Sequence, residues 1–302
     1  FFGIGKPVHA LTQLAYPSDT DQAAKVRFFK AVRAKDWSTL KKIADQWNTA
    51  YNILNTTGVT ASTNPNLLVS GGGYIVKSAA PGKSVTLEVN PRYYGTKPKI
   101  KNFQLVVIND ATAAAQALAN GELDIYAGQA TADGVAKLKA IKNVNVVGKD
   151  EVAYEHWDLH YDTVPDEAPY TGLFSVKDGA KSKALRQAFL LGLPRNEIME
   201  KLIEPINGVS KPLCTTWVAP GTPAYDKICA VNGSAFYTRG TQESRNKSAL
   251  ALVQKFYPDA LKNPLKVRVL VPGNNPRRAA QFALAKANMA KVGFNLVGDV
   301  QA

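Results

Sequence analysis

A chain of 302 residues, 45% hydrophobic and 20% charged, has the composition of an ordinary globular protein and enough length for a sizeable core or two domains. Its formal charge of +13 invites a nucleic-acid reading, yet the longest basic runs are pairs, Lys41-Lys42 and Arg277-Arg278, so the basic residues read as scattered and solvated. No apolar run approaches the roughly 20 residues of a membrane-spanning helix, and the opening FFGIGKPVHAL lacks the basic start, apolar block and small-residue cleavage site of a signal peptide.

Taken in order, residues 19–54 carry a helical pattern. Val26, Phe29, Val32 and Arg33 form one set, and Leu40, Ile43, Ala44 and Trp47 recur at three and four, a stripe expected to face a core or a lobe contact. Residues 55–66, NTTGVTASTNPN, read as polar loop. Past the glycines at 71–73, residues 74–78 and 84–90 read as two strands joined by Ala80-Pro81-Gly82-Lys83, a hairpin signal.

The stretch NPRYYGTKPKIKNFQLVVINDATAAAQALANGELDI, residues 90–125, is denser in signals. A run rich in Val, Ile, Leu and Phe at 100–108 predicts a buried strand. Asp110 stands where an N-cap belongs, ATAAAQALA supplies strong helix formers, and Gly121 is a natural helix stop. A short strand at 123–126 would complete a strand, helix, strand unit of an α/β sheet. Further on, the pattern predicts a helix at 132–141, a strand at 144–148, and helices over 181–203, the second with Pro194 in its first turn. A helix at 245–256 follows. A second strand, helix, strand unit comes last: 265–271, 276–291 and 294–297, with Gly293 at the helix stop.

Motifs of catalysis are missing. The GKS at 82–84 has Lys77 where a phosphate-binding loop needs its first glycine, and GxSxG, HExxH and CxxC do not occur. His156 and His160 would share a face on a helix. Trp157, Leu159 and Tyr161 alternate with polar residues, which is the strand pattern, and there the two histidines stand about 13 Å apart. No metal or other cofactor, and no catalytic residue, is therefore expected. Cys214 and Cys229 bracket a Pro/Gly-rich loop, TTWVAPGTPAYDKI. They could be free thiols or a metal pair, but no histidine lies near them in sequence, and a disulfide would stabilise by about 3 kcal/mol in the chain-entropy model.

The 90–125 stretch also resembles a segment of the extracellular solute-binding proteins of family 5, the peptide-binding type that feeds ABC importers, of the form NPxYWGxxPxLDxVxFxxIxDxxAxxxALxxGExD. Asn90, Pro91, Tyr93, Gly95, Pro98, Asp110, Ala115, Leu118, Gly121, Glu122 and Asp124 fall in register, with Tyr94 in place of the usual Trp. Pro7, His9 and Leu11 resemble the family's PKHVL element. Ser70-Gly71-Gly72-Gly73-Tyr74-Ile75-Val76 resembles its GTGPYKV turn, and Leu185-Arg186-Gln187-Ala188 its VRQAL helix. Departures are Gly73 for Pro, Leu193-Pro194-Arg195 for Ile-Asp-Arg, and a longer, more helical segment at 20–61.

The resemblance implies a periplasmic-binding-protein-like α/β fold (type II, cluster C) with two lobes: residues 1–102 as part of lobe I and 103–302 as lobe II. It also implies a fragment of a longer protein. The implied function is capture of a peptide or similar small solute between the lobes for an ABC permease, outside the membrane or in the periplasm, with an N-terminal lipid anchor that this chain does not carry. The family also binds nickel chelates, haem, sugars and opines. Aromatic walls and a few polar groups suffice for such a ligand; the residues expected near a cleft are Tyr154, His156, Trp157 and Trp217, with the backbone of Ser70, Gly71 and Gly72. A hydrolase without a sequential motif, or a fragment that folds without binding, is the alternative.

Overall fold

A computed structural model of the chain describes residues 8–50, 70–80, 82–148, 154–163, 169–209 and 211–301. The loop expected at 55–66 lies outside them, as do Pro7 and Pro81. The chain divides into two compact units, Phe1–Ile108 and Asn109–Ala302, so the division falls a few residues beyond the Asn102 boundary read from the sequence.

The first unit opens with three helices, α1 (Val8–Ala15), α2 (Asp21–Ala34) and α3 (Trp37–Ala50), each in contact with the other two. Thr20 caps α2, its hydroxyl accepting from the Ala23 amide at 3.2 Å, and Lys35 ends it in the left-handed region at φ 53°. Asp36 then caps α3, accepting from the Thr39 amide at 3.1 Å, so the helical pattern read at 19–54 is carried by two helices among the described residues. The packed face also differs. Ala24 and Ala31 are the buried residues of α2, while Val26, Phe29 and Val32 are about half exposed; in α3 Ile43 is buried and Ala44 and Trp47 are not. Small side chains let the helices approach closely, and that contact outweighs the larger hydrophobic set.

The same unit holds an antiparallel sheet of β1 (Tyr74–Ala80), β2 (Ser84–Val89) and β3 (Asn102–Val106), in the order β1-β2-β3. Buried Asn90 fastens its end. Its side-chain amide donates to the carbonyls of Ser70 (3.2 Å) and Gly72 (2.9 Å), its Oδ1 accepts from the Arg92 amide (2.9 Å), and Lys97 Nζ donates to its carbonyl (2.9 Å). A Cβ on Gly73 would come within 2.9 Å of Pro98, which ties the glycine turn to the far end of the NPRYYGTKP loop. β3 corrects an expectation: it is shorter than 100–108 and lies at the sheet edge, with Leu105, Val106 and Val107 exposed rather than buried. Its partner is β2, so it opens no strand, helix, strand unit.

In the second unit α4 (Ala111–Ala119) has the predicted bounds. Asp110 Oδ1 accepts from the Ala113 amide at 2.7 Å, and at the other end Glu122 N–H to Ala117 (2.9 Å) and Gly121 N–H to Leu118 (3.1 Å) close a Schellman turn on Gly121, φ 76°. α5 (Ala132–Lys139) follows. The strands expected at 123–126 and 144–148 do not form; neither stretch has a ladder partner among the described residues.

The body of this unit comprises α6 (Gly179–Gly192), α7 (Arg195–Ile198), a π turn Met199–Ile203, α8 (Glu204–Asn207), α9 (Pro223–Val231), α10 (Ala235–Thr238) and α11 (Gln242–Gln254). It ends in β4 (Leu265–Pro272), α12 (Pro276–Ala290) and β5 (Phe294–Gln301), whose strands pair in parallel. Pro194 sits at the N-cap of α7, one position outside the helix, because its ψ of 63° is not helical. The core gathers Phe174, Leu185, Phe189, Val253, Met289 and Phe294, with the Phe189 ring edge-on to Phe174 (5.4 Å) and Phe294 (5.8 Å). Gln242 and Asn288 satisfy the carbonyls at the end of α6, donating to Leu191 (3.1 Å) and Gly192 (2.7 Å). At Gly293, φ 86°, a Cβ would lie 2.8 Å from that of Ala260, so the turn from α12 into β5 leaves no room for a side chain.

Candidate functional site

Residues 154–161 cross the surface of the second unit with no strand partner among the described residues, yet residues 156–160 keep the alternation expected of an extended segment, while Tyr161, expected on the inward set, is exposed. Trp157 and Leu159 turn inward and pack against the core, Trp157 at 6.4 Å from the Phe189 ring. Tyr154, His156 and Asp158 are exposed. Their side chains form a short row: the rings of Tyr154 and His156 lie 5.1 Å apart, and His156 Nε2 is 3.1 Å from Asp158 Oδ2. His160 stacks instead on Tyr170 at 4.4 Å, so the two histidines serve different contacts. Among the described residues no three His, Cys, Asp or Glu side chains gather in a metal-binding arrangement.

Beside this row an open pocket of about 420 Å³ lies between the segment and α6, with Trp157, Tyr161, Lys183, Arg186, Gln187 and Tyr237 on its walls. The LRQA stretch of α6 thus divides its labour. Leu185 and Ala188 enter the core, while Arg186 and Gln187 face the pocket. Arg186 is held in place by its Nη1, which donates to the Phe174 carbonyl (2.6 Å) and lies 3.3 Å from Ser182 Oγ, and its guanidinium stands 5.9 Å from the Tyr161 ring. Nearby, Arg195 Nη1 donates to the Leu190 carbonyl at 2.6 Å. Burial and then the neighbouring Arg245 guanidinium hold Arg195 below its ordinary pKa, and burial does the same to Arg245. The pocket offers aromatic walls, one fixed cation in Arg186, an exposed lysine and an amide, which is binding chemistry.

The other expected site residues are not on the walls of this pocket. Trp217 is 91% exposed on the loop closed by the Cys214–Cys229 disulfide, whose Cα atoms are 5.6 Å apart. That loop is braced by the Tyr225 hydroxyl, which accepts from the Cys214 amide (3.0 Å), and by Asn232, which donates to the Cys214 carbonyl (2.9 Å). Ser70, Gly71 and Gly72 belong to the first unit. Their turn is occupied from within, since Gly72 N–H donates to Ser70 Oγ (3.0 Å) and Asn90 takes two of the carbonyls.

One cluster escapes a reading of the sequence. Glu155, pointing opposite to Tyr154 and His156, accepts from Arg277 and Gln281 of α12, lies 3.3 Å from Arg278, and accepts from Gln129 at 2.9 Å. Arg277 also donates to the Ala130 carbonyl at 2.9 Å. The signal available beforehand was the pair Arg277-Arg278 directly after Asn275-Pro276, two cations in the first turn of a helix, where the macrodipole disfavours them.

A family described as bacterial extracellular solute-binding proteins, family 5 middle, matches residues 16–297. The chain belongs to this family. Among curated relatives, the oligopeptide-binding protein OppA of Lactococcus lactis is 24% identical over 159 residues, which are 52% of this chain and 26% of that protein. Among solved structures, the ABC transporter substrate-binding protein CtaP of Listeria monocytogenes is 21% identical with a TM-score of 0.51, over 84% of this chain and 45% of its own. MoaA of A. tumefaciens R10, solved with mannopinic acid, is 21% identical with a TM-score of 0.53, over 76% of this chain and 40% of its own. The α/β fold is therefore that of the family 5 binding proteins, and the chain spans less than half the length of these relatives. Among the described residues no helix is long and apolar enough to cross a membrane.

Proposed function

We propose that this family 5 chain is part of the substrate-binding component of an ABC importer and that its ligand is a peptide or a similar small solute. What carries the reading is the family match across residues 16–297, which takes in the exposed row Tyr154, His156 and Asp158 and the pocket walled by Trp157, Tyr161 and Arg186. Aromatic faces and a few fixed polar groups suit an extended ligand whose backbone supplies most of the contacts. The protein works as a binder and catalyses nothing. Its partners are the solute and the permease subunits, and its place is the outer face of the cell membrane or the periplasm. In this reading Trp217 and the Ser70–Gly72 turn are additional ligand contacts, and residues 1–102 and 103–302 contribute to different lobes.

The test is thermal unfolding of the chain with a panel of unmodified peptides, sugars and opines, each followed by mass spectrometry of the ligand. A ligand at a hundred times its Kd stabilises by about 2.7 kcal/mol. Stabilisation with the ligand recovered intact supports binding. Cleavage of the peptide supports the hydrolase alternative, and no stabilisation by any member of the panel removes the proposal.

A further inference from the structure

We infer that Glu155 is the positioning residue of the Tyr154, His156 and Asp158 row, acting through the first turns of α12. The inference rests on the reading of that row as a ligand contact. It begins with a local conflict: Arg277 and Arg278 occupy the N-terminal turn of α12, and that turn has no acid of its own. Glu155 brings the missing negative charge from a distant part of the chain. With Arg277 and Gln281 donating to it, Arg278 alongside and Gln129 donating at 2.9 Å, its carboxylate has as many partners as its roughly four lone-pair sites allow.

The consequence for the row is geometric. Neighbouring side chains of an extended segment point to opposite sides, so fixing Glu155 inward presents Tyr154 and His156 outward. Residues 154–158 have no ladder partner among the described residues, so the segment depends on side chains for its placement, with Trp157 packing and Glu155 anchoring on the same inward side. The contacts of Gln129 with Glu155 and of Arg277 with Ala130 draw the stretch between α4 and α5 into the same anchor. The Glu155 and Arg277 side chains are only 24% and 16% exposed, so water is a poor substitute for either.

The test replaces Glu155→Gln, which removes the charge and keeps the shape, with Arg278→Met as a milder second variant at the outer partner. The chain is labelled with 5-fluorotryptophan, and its four tryptophans are assigned by single replacement to Phe. In both variants the Trp157 fluorine resonance is expected to shift or split while those of Trp37, Trp47 and Trp217 stay. Affinity for an equimolar mixture of short unmodified peptides is expected to fall about tenfold in Glu155→Gln, because a disordered wall must be ordered on binding. An unmoved Trp157 resonance in folded Glu155→Gln overturns the inference, and so does a common displacement of all four. If the unsubstituted chain takes up no peptide while the Trp157 line responds as expected, the positioning role stands and the ligand reading is what fails.

Discussion

Replacing Asn90 with Ala removes three side-chain hydrogen bonds: two donated to the Ser70 and Gly72 carbonyls and one accepted from Arg92. At about 1 kcal/mol net for each bond, the sum is about 3 kcal/mol. Ser70 and Gly72 are exposed, so water can take over part of what their carbonyls lose, and about 2 kcal/mol remains. That corresponds to roughly a thirtyfold increase in amide exchange through opening of the β1–β2 ladder. Exchange is the right assay because the chain has two units and a single global transition would blur them. Asn90→Asp is the sharper control. It keeps the acceptor for Arg92 but turns a carboxylate oxygen toward two carbonyls, so its cost is expected to equal or exceed that of Ala. Ladder exchange within about threefold of the unsubstituted chain for both variants would refute Asn90 as the fastening of this sheet.

Three other outcomes follow from single features. The amides of the first turn of α3, Thr39 foremost, hold the Asp36 carboxyl below its ordinary 3.8; its contribution is therefore complete above 3.8 and lost as pH falls through the lowered value. Carbon NMR titration should find that lowered midpoint, and Asp36→Asn should remove this part of the acid sensitivity of α3. Reducing the Cys214–Cys229 bond should lower stability by about 3 kcal/mol, read as a lower melting temperature with reductant; two titratable thiols in the unreduced, unfolded chain would contradict the pairing. Gly293→Ala should destabilise by about 2–4 kcal/mol in urea, combining left-handed backbone strain with overpacking against Ala260, and an unchanged midpoint would show that the turn has room.

Where structure is decided by neighbours in the chain, the sequence was readable. The cap at Asp110, the stop at Gly121 and the β4–α12–β5 order are set by residues within a few positions of one another. The hairpin of β1 and β2 is likewise local. Legibility failed where tertiary contact chose among local options. Ala24 and Ala31 displaced Val26, Phe29 and Val32 from the packed face of α2, and residues 123–126 have no strand to pair with among the described residues. At the candidate site, the alternation around Trp157 survived although no ladder among the described residues supports it. Glu155 could not be foreseen as an anchor, because its partners come from α12 and from the stretch before α5; only the awkward placement of Arg277 and Arg278 hinted that a distant acid was needed.

The core of the second unit has a consequence for synthesis. Phe174 and Phe189 emerge from the ribosome long before Phe294, the ring they both pack against. Until that strand arrives, the apolar face of α6 has no complete partner, and contacts spanning so much chain close slowly. A nascent chain of this protein therefore passes through an interval with a sticky, half-built core, during which a holdase would raise the folded yield.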